Sequence, residues 1–388
     1  MRILAVTSDY PPTPGGIARL SWCSAQALHD LGHEILVLAT GTGESACREF
    51  DRQAPFVTKR VTSKLGLREL SMYIALRQSI REFRPDVIWS ALWFPCAVLA
   101  SYCPCDAIQV FSTYGSEILP NRKAGFKQWL KSQLGPLRRR VFRRSDWIFT
   151  LSRFTQDQVV ALGAPREKTS VLPGGVDPHW FKIAPAPKDK EKPTLLTVAR
   201  LDEHKGHDVV ISALPQIRRR FPGVRYRIVG PSAGNWPRLE ALAQQLGVSD
   251  CVEYWGKVPE EKLYRAYSEA DLFVMPSREV PGRHVEGFGL TFLEAAALGV
   301  PSVGGRSGGV PDAIEDGYSG LLVEPSNSVE LAEAIERLLG DPEYLKALGS
   351  QAQTRAREEF SWKAIGQQMA STFQRLVDGR TPGRRMPS

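Results

Sequence analysis

Short apolar runs recur along the chain, each closed by glycine, proline or serine, with longer amphipathic stretches between them. "MRILAVTS" predicts a strand over 2–8, followed by the loop "DYPPTPGG", a helix from about 17 to 31, and "GHEILVLAT" as a second strand. "PDVIWSA", "IQVFSTYG", "WIFTLS" and "TSVLPGG" read as further short strands. Alternation of strand and helix predicts a parallel, doubly wound sheet. The pattern then breaks at "KIAPAPKDKEKP" (182–193), which has no periodicity and reads as a linker. A fresh alternation follows: "TLLTVARL", a helix near 206–220, "RYRIVG", a helix near 236–246, "VEYWG", a helix near 259–269, "DLFVMPS", "PSVGG", a short helix, "GLLVEP" and closing helices. The expected fold is α/β, with two Rossmann-like doubly wound domains, 1–181 and 194–358, facing a central cleft. Ligands of such sheets bind at the carboxyl ends of the strands.

Composition narrows this reading. With 388 residues, 43% hydrophobic and 24% charged, the chain has room for two cores. The nearest approach to a membrane span, "VIWSALWFPCAVLASYC", is broken by Pro95 and reads as strand, turn and helix. The N-terminus begins directly with a strand, so no signal peptide is expected. Six cysteines do not make a disulfide framework, and Cys96, Cys103 and Cys105 have no second pair at metal-ligand spacing. Reduced, packed cysteines suit a cytoplasmic protein.

The charge of +8 is uneven: residues 1–190 hold 26 Lys/Arg against 16 Asp/Glu. Nine basic residues and no acidic one fall in 121–144, where Phe126, Trp129, Leu130, Leu134, Leu137, Val141 and Phe142 interleave. Such a segment fits an anionic membrane surface, a nucleic acid or an anionic substrate, or is simply a solvated face.

Three sequence elements carry candidate chemistry. In "EVPGRHVEGFGLTFLEAAALG" (279–299), Glu286 and Glu294 flank a Gly-Phe-Gly turn that opens a helix. Free amides and the helix dipole at such a start suit phosphate, and glycine admits a ligand close to the backbone. Glu294 could accept from a sugar diol, and Glu286 could face another part of the same ligand. In "TVARLDEHKGHD", Arg200 and Lys205 follow a strand and precede a helix, a placement that suits a diphosphate. Gly15 and Gly16 pair at the start of the first helix. For either glutamate alone, a surface or loop role is the plain alternative.

Together these motifs resemble the retaining glycosyltransferases of family 4, which have the GT-B fold. "EGFGLTFLE" matches that family's E-x7-E motif, and "VARLDEHKG" its "R…KG" element. "VLPGGVDPHWF", "GGRSGGVPDAIEDGYSGLLVEP" and "PPTPGGIAR" resemble further segments in the same order. The resemblance implies a hexosyltransferase with an acceptor-binding first domain and a donor-binding second domain, in polysaccharide or glycolipid biosynthesis. Residues 359–388 would hold a helix crossing back to the first domain, plus a basic tail. Arg200 and Lys205 would bind the donor diphosphate, Glu294 the ribose and Glu286 the sugar. The Phe288, Gly289 and Leu290 amides would lie near sugar or phosphate. The backbone near Val258 would read the base, and Gly15 and Gly16 would approach the phosphate. Tyr114 in "TYGSE" stands where the family usually has histidine facing the donor sugar, which leaves the donor's identity open.

The implied partners are a GDP- or UDP-sugar donor, a glycan or lipid-linked acceptor, and an anionic membrane surface met through 121–144 at the inner face. No Asp-x-Asp occurs, so neither a metal nor another cofactor is expected. Other GT-B enzymes, a sugar phosphorylase or a nucleotide-sugar 2-epimerase, remain alternatives. A dehydrogenase is disfavoured because the first strand lacks Gly-x-Gly-x-x-Gly. A basic nucleic-acid-binding protein is a distant alternative, but no nucleic-acid partner is expected, because 121–144 carries no recognisable nucleic-acid-binding motif.

Overall fold

The computed structural model describes residues 1–41, 45–62, 67–115, 118, 134–189, 191–232, 234–280 and 285–380. It divides into two compact units. One comprises Met1–Gly175 together with the chain from Trp362 onward; the other comprises Val176–Ser361.

The first unit holds seven strands: β1 (Arg2–Thr7), β2 (Glu34–Thr40), β3 (Val57–Val61), β4 (Val87–Ser90), β5 (Ile108–Thr113), β6 (Trp147–Thr150) and β7 (Thr169–Val171). They pair in parallel in the order β3-β2-β1-β4-β5-β6-β7, so the winding reverses between β1 and β4. The central strands are continuous apolar runs because helices cover both faces. Ile3, Leu4, Val6, Val37, Leu38, Val87 and Ile88 are accordingly buried. The edge strand β3, "VTKRV", escaped the hydrophobic reading because one side faces water; Val57 is exposed.

The helix Trp362–Asp378 belongs to this first unit. Trp362, Ile365, Met369 and Phe373 are all buried, one stripe at spacings of three and four. Phe373 meets Phe149 of β6 with ring centroids 6.0 Å apart. Gly366 lies so close to the helix Gly16–Asp30 that an added Cβ would come within 2.9 Å of Ala27 Cβ.

The second unit holds β8 (Thr194–Val198), β9 (Arg225–Val229), β10 (Val252–Gly256), β11 (Leu272–Met275), β12 (Ser302–Gly305) and β13 (Gly320–Val323). They form a parallel sheet in the order β10-β9-β8-β11-β12-β13, and here the winding reverses between β8 and β11. The units part at Gly175–Val176, so 182–193, expected as a linker, lies within the second unit. Lys188 supplies the reason: its ammonium donates to the carbonyls of Ser268 (2.9 Å) and Ala270, and Ala186 N donates to Ser268 O at 3.1 Å. A Pro/Lys composition marks the absence of regular structure, not the absence of packing.

None of the six cysteines forms a disulfide, and five are buried. Among the described residues no helix is long and apolar enough to cross a membrane. Phe373→Ala should cost about 3–5 kcal/mol in the first unit. Hydrogen exchange would read this as lost protection in β5 and β6 with β8–β13 unchanged; equal loss in both sheets would contradict the assignment of this helix.

Candidate active site

In a doubly wound sheet the loops diverge where the winding reverses, and the crevice between them is the natural ligand site. In the second unit that point is the carboxyl end of β8 and β11. Arg200, Asp202 and the short turn Glu203–Lys205 follow β8, and Glu286 lies in the segment between β11 and the helix Leu290–Ala297. Gly206, at φ 78°, lets these segments touch: a Cβ there would sit 2.4 Å from the Pro276 carbonyl oxygen. Arg278 ties them further, donating to Asp208 at 2.9 and 3.1 Å while its amide donates to His204 O at 2.9 Å.

Lys205 and Glu286, 81 positions apart, form a direct hydrogen-bonded ion pair. Their side chains are only 16% and 13% exposed. Burial by itself pushes the Glu286 carboxyl up, but the Lys205 charge and hydrogen bond, with His204 and the Phe288 amide behind them, hold it below its ordinary 4.5. The two groups expected to serve phosphate and sugar separately therefore neutralise each other. Arg200 points outward at 63% exposure and pairs with Asp202 at 3.0 Å.

Gly289, left-handed at φ 97°, caps the helix Leu290–Ala297, and a Cβ there would strike the Phe292 ring at 2.5 Å. Phe288 is fully buried and meets Phe360 at 5.7 Å, so only its backbone faces the turn. Glu294, in the second turn of the helix, accepts from Tyr267 Oη at 2.8 Å. Val258 is half-buried in the loop after β10.

In the first unit, Gly15 and Gly16 are exposed at the start of the helix Gly16–Asp30, with nothing within 4 Å of an added Cβ. Tyr114 is half-buried just past β5, before Gly115 at φ 100°. Of the basic segment, residues 121–133, including Phe126, Trp129 and Leu130, lie outside the described residues. Val141 and Phe142, expected among its membrane-facing apolar positions, are buried in the core; Phe142 stacks on Phe111 at 5.4 Å. An amphipathic helix of a folded unit spends its apolar face inward, and Arg139, Arg140 and Arg143 remain outside.

The family profile described as "Glycosyl transferases group 1" matches residues 179–355, and the profile "Glycosyltransferase Family 4" matches 14–180. A GDP-mannose-dependent alpha-(1-6)-phosphatidylinositol monomannoside mannosyltransferase of Mycobacterium tuberculosis is 31% identical over 95% of this chain and 97% of its own. Its namesake from Mycolicibacterium smegmatis is 30% identical over 98% and 100%. The chain belongs to glycosyltransferase family 4.

It is a nucleotide-sugar hexosyltransferase with the GT-B fold. Anabaena HepE, solved with UDP and glucose, shares that fold at TM-score 0.74 and 21% identity, covering 97% of this chain and 100% of its own. Within the glycosyltransferase, the structure brings together Lys205, Glu286 and the Gly289 turn. It adds residues the sequence did not mark: Tyr267 behind Glu294, and Arg278 with Asp208 behind Lys205. Their partners lie 27 and 70 positions away, beyond the reach of any local pattern.

Glu286→Ala strands a buried ammonium and should cost about 3–5 kcal/mol, whereas Lys205→Met with Glu286→Leu together should be near neutral or stabilising. Because the folded carboxyl titrates below 4.5, its contribution is whole above that pH and lost as the pH falls beneath it. Urea unfolding checks both; equal destabilisation by the single and double variants would contradict the pairing.

Proposed function

We propose that the protein is a retaining mannosyltransferase that moves a mannosyl unit from GDP-mannose to a lipid-linked acceptor of the phosphatidylinositol mannoside kind. The observation that carries the donor and acceptor is the end-to-end match to relatives so named. What supports the chemistry is the Lys205–Glu286 pair beside a helix start at the reversal of the winding.

In this reading Arg200 and Lys205 take the diphosphate, and Lys205 does so by sharing or exchanging Glu286, which turns to the sugar. Glu294, oriented by Tyr267, receives the ribose hydroxyls. The Phe288, Gly289 and Leu290 amides lie near sugar or phosphate, and the backbone at Val258 meets the base. Gly15, Gly16 and Tyr114 enter on the resemblance alone. As the sugar C1–O bond to phosphate breaks, negative charge grows on the β-phosphate, where the fixed cations stabilise it. The acceptor hydroxyl attacks C1 from the same face and its proton passes to the leaving phosphate oxygen, which retains the anomeric configuration. No metal takes part.

Transfer assays test this directly. GDP at 100 times its dissociation constant should stabilise the protein by roughly 2.7 kcal/mol, and UDP or ADP at equal concentration should do less. Arg200→Ala and Lys205→Ala should each lower kcat on the order of 10²-fold. EDTA should leave the rate unchanged; a strict Mg²⁺ requirement or a preference for another nucleotide sugar would contradict the reading.

We place the enzyme at the cytoplasmic face of an anionic leaflet, held by the exposed cations Arg139, Arg140 and Arg143, each adding about 1 kcal/mol near the surface. Vesicles containing anionic lipid should co-sediment it, less so in salt or with these residues changed to Ser. Equal binding to neutral vesicles, or none, would retire this placement.

A further inference from the structure

Beneath Arg200 lies a buried polar chain that the transfer chemistry does not use directly. His207, the first residue of the helix His207–Arg220, is 2% exposed. Its Nε2 lies 3.2 Å from the carbonyl of Arg200 and its Nδ1 lies 3.1 Å from the hydroxyl of Tyr226 in β9. Tyr226 is fully buried, and its hydroxyl lies 2.9 Å from Thr197 Oγ1 at the end of β8. Thr197 also donates to the Val274 carbonyl in β11. The chain therefore links the strands on either side of the reversal.

Burial holds the imidazole pKa down to about 4, so the ring is neutral at working pH and carries one proton. A carbonyl only accepts, so that proton sits on Nε2 and points at Arg200; Nδ1 then accepts from Tyr226. The Tyr226 proton is thereby spent on Nδ1, so its hydroxyl accepts from Thr197, whose one proton is shared between Tyr226 and the Val274 carbonyl. The neighbouring backbone is fixed as well: Ala199 N donates to Val229 O at 2.9 Å and Leu201 N to Pro231 O at 3.2 Å. The Arg200 side chain, 63% exposed, instead reaches outward to Asp202. Its aim is set by the peptide that carries it, and the one carbonyl of that peptide is gripped by His207.

We propose that His207, held in place by Tyr226, is a positioning residue that fixes the Arg200 backbone so that the guanidinium meets the departing diphosphate. This rests on the reading of Arg200 given above. Misplacing a charge stabiliser costs rate in the transition state more than it costs ground-state affinity. Removing the grip should therefore appear in kcat rather than in donor KM.

Four variants assayed with GDP-mannose and the glycolipid acceptor test it. The His207→Asn amide nitrogen falls short of the Arg200 carbonyl, so kcat should drop by about tenfold or more while donor KM changes little. His207→Gln, which reaches the Nε2 position, should recover most of that loss. Tyr226→Phe, close in volume, removes the hydrogen bond that holds the ring at Nδ1 and should lower kcat in the same sense, which keeps the test open if His207→Asn fails to fold. In an Arg200→Ala background His207→Asn should add nothing further. Unchanged kcat in both His207→Asn and Tyr226→Phe would overturn the proposal, as would their full effect persisting without Arg200. If Arg200→Ala alone leaves kcat intact, the diphosphate reading fails and takes this role with it; a kcat loss in Arg200→Ala but none in His207→Asn rejects the positioning role alone.

Discussion

The candidate site depends on one buried ion pair. Lys205 and Glu286 come from the segments that follow β8 and β11, and their contact fixes the spacing of those segments at the reversal of the winding. Two largely desolvated charges are stable together only if geometry and hydrogen bonds are good, and each is costly alone. The surroundings supply the geometry. Gly206 removes the Cβ that would strike Pro276, Gly309 N donates to Glu286 O at 2.8 Å, and Arg278 with Asp208 closes the other side. The glutamate also draws on the Phe288 amide at the start of the helix that carries Glu294.

Lys205 is compensated by Glu286 rather than left as an isolated ammonium. In our reading the incoming phosphate competes for Lys205, and the carboxylate released from it gains the donor sugar as a partner. In that reading, binding and activation are one exchange of partners at Lys205.

Much of the frame was legible in the chain, and the reasons differ from element to element. The buried strands β1, β2 and β8 announce themselves because both faces are apolar, and Gly289 because its turn opens a helix. The glutamates of "EGFGLTFLE" and the cations of "ARLDEHKG" named segments that the fold brings together, since Lys205 meets Glu286. What the sequence hid was pairing across distance. Nothing local says that Lys205 finds Glu286, that Tyr267 orients Glu294, or that His207 is buried against Arg200 rather than solvated among its charged neighbours. β3 was hidden by its wet edge. The 182–193 segment was misread because composition does not reveal that Lys188 caps two carbonyls, and the basic helix because Val141 and Phe142 face the core.

Whether Lys205 changes partners is decided by a structure of the protein bound to GDP-mannose. Lys205 Nζ and the Arg200 guanidinium should lie within hydrogen-bond distance of the β-phosphate, with Glu294 on the ribose hydroxyls and Glu286 on the mannosyl group. A complex in which Lys205 and Glu286 remain paired while the diphosphate is held elsewhere would contradict that exchange.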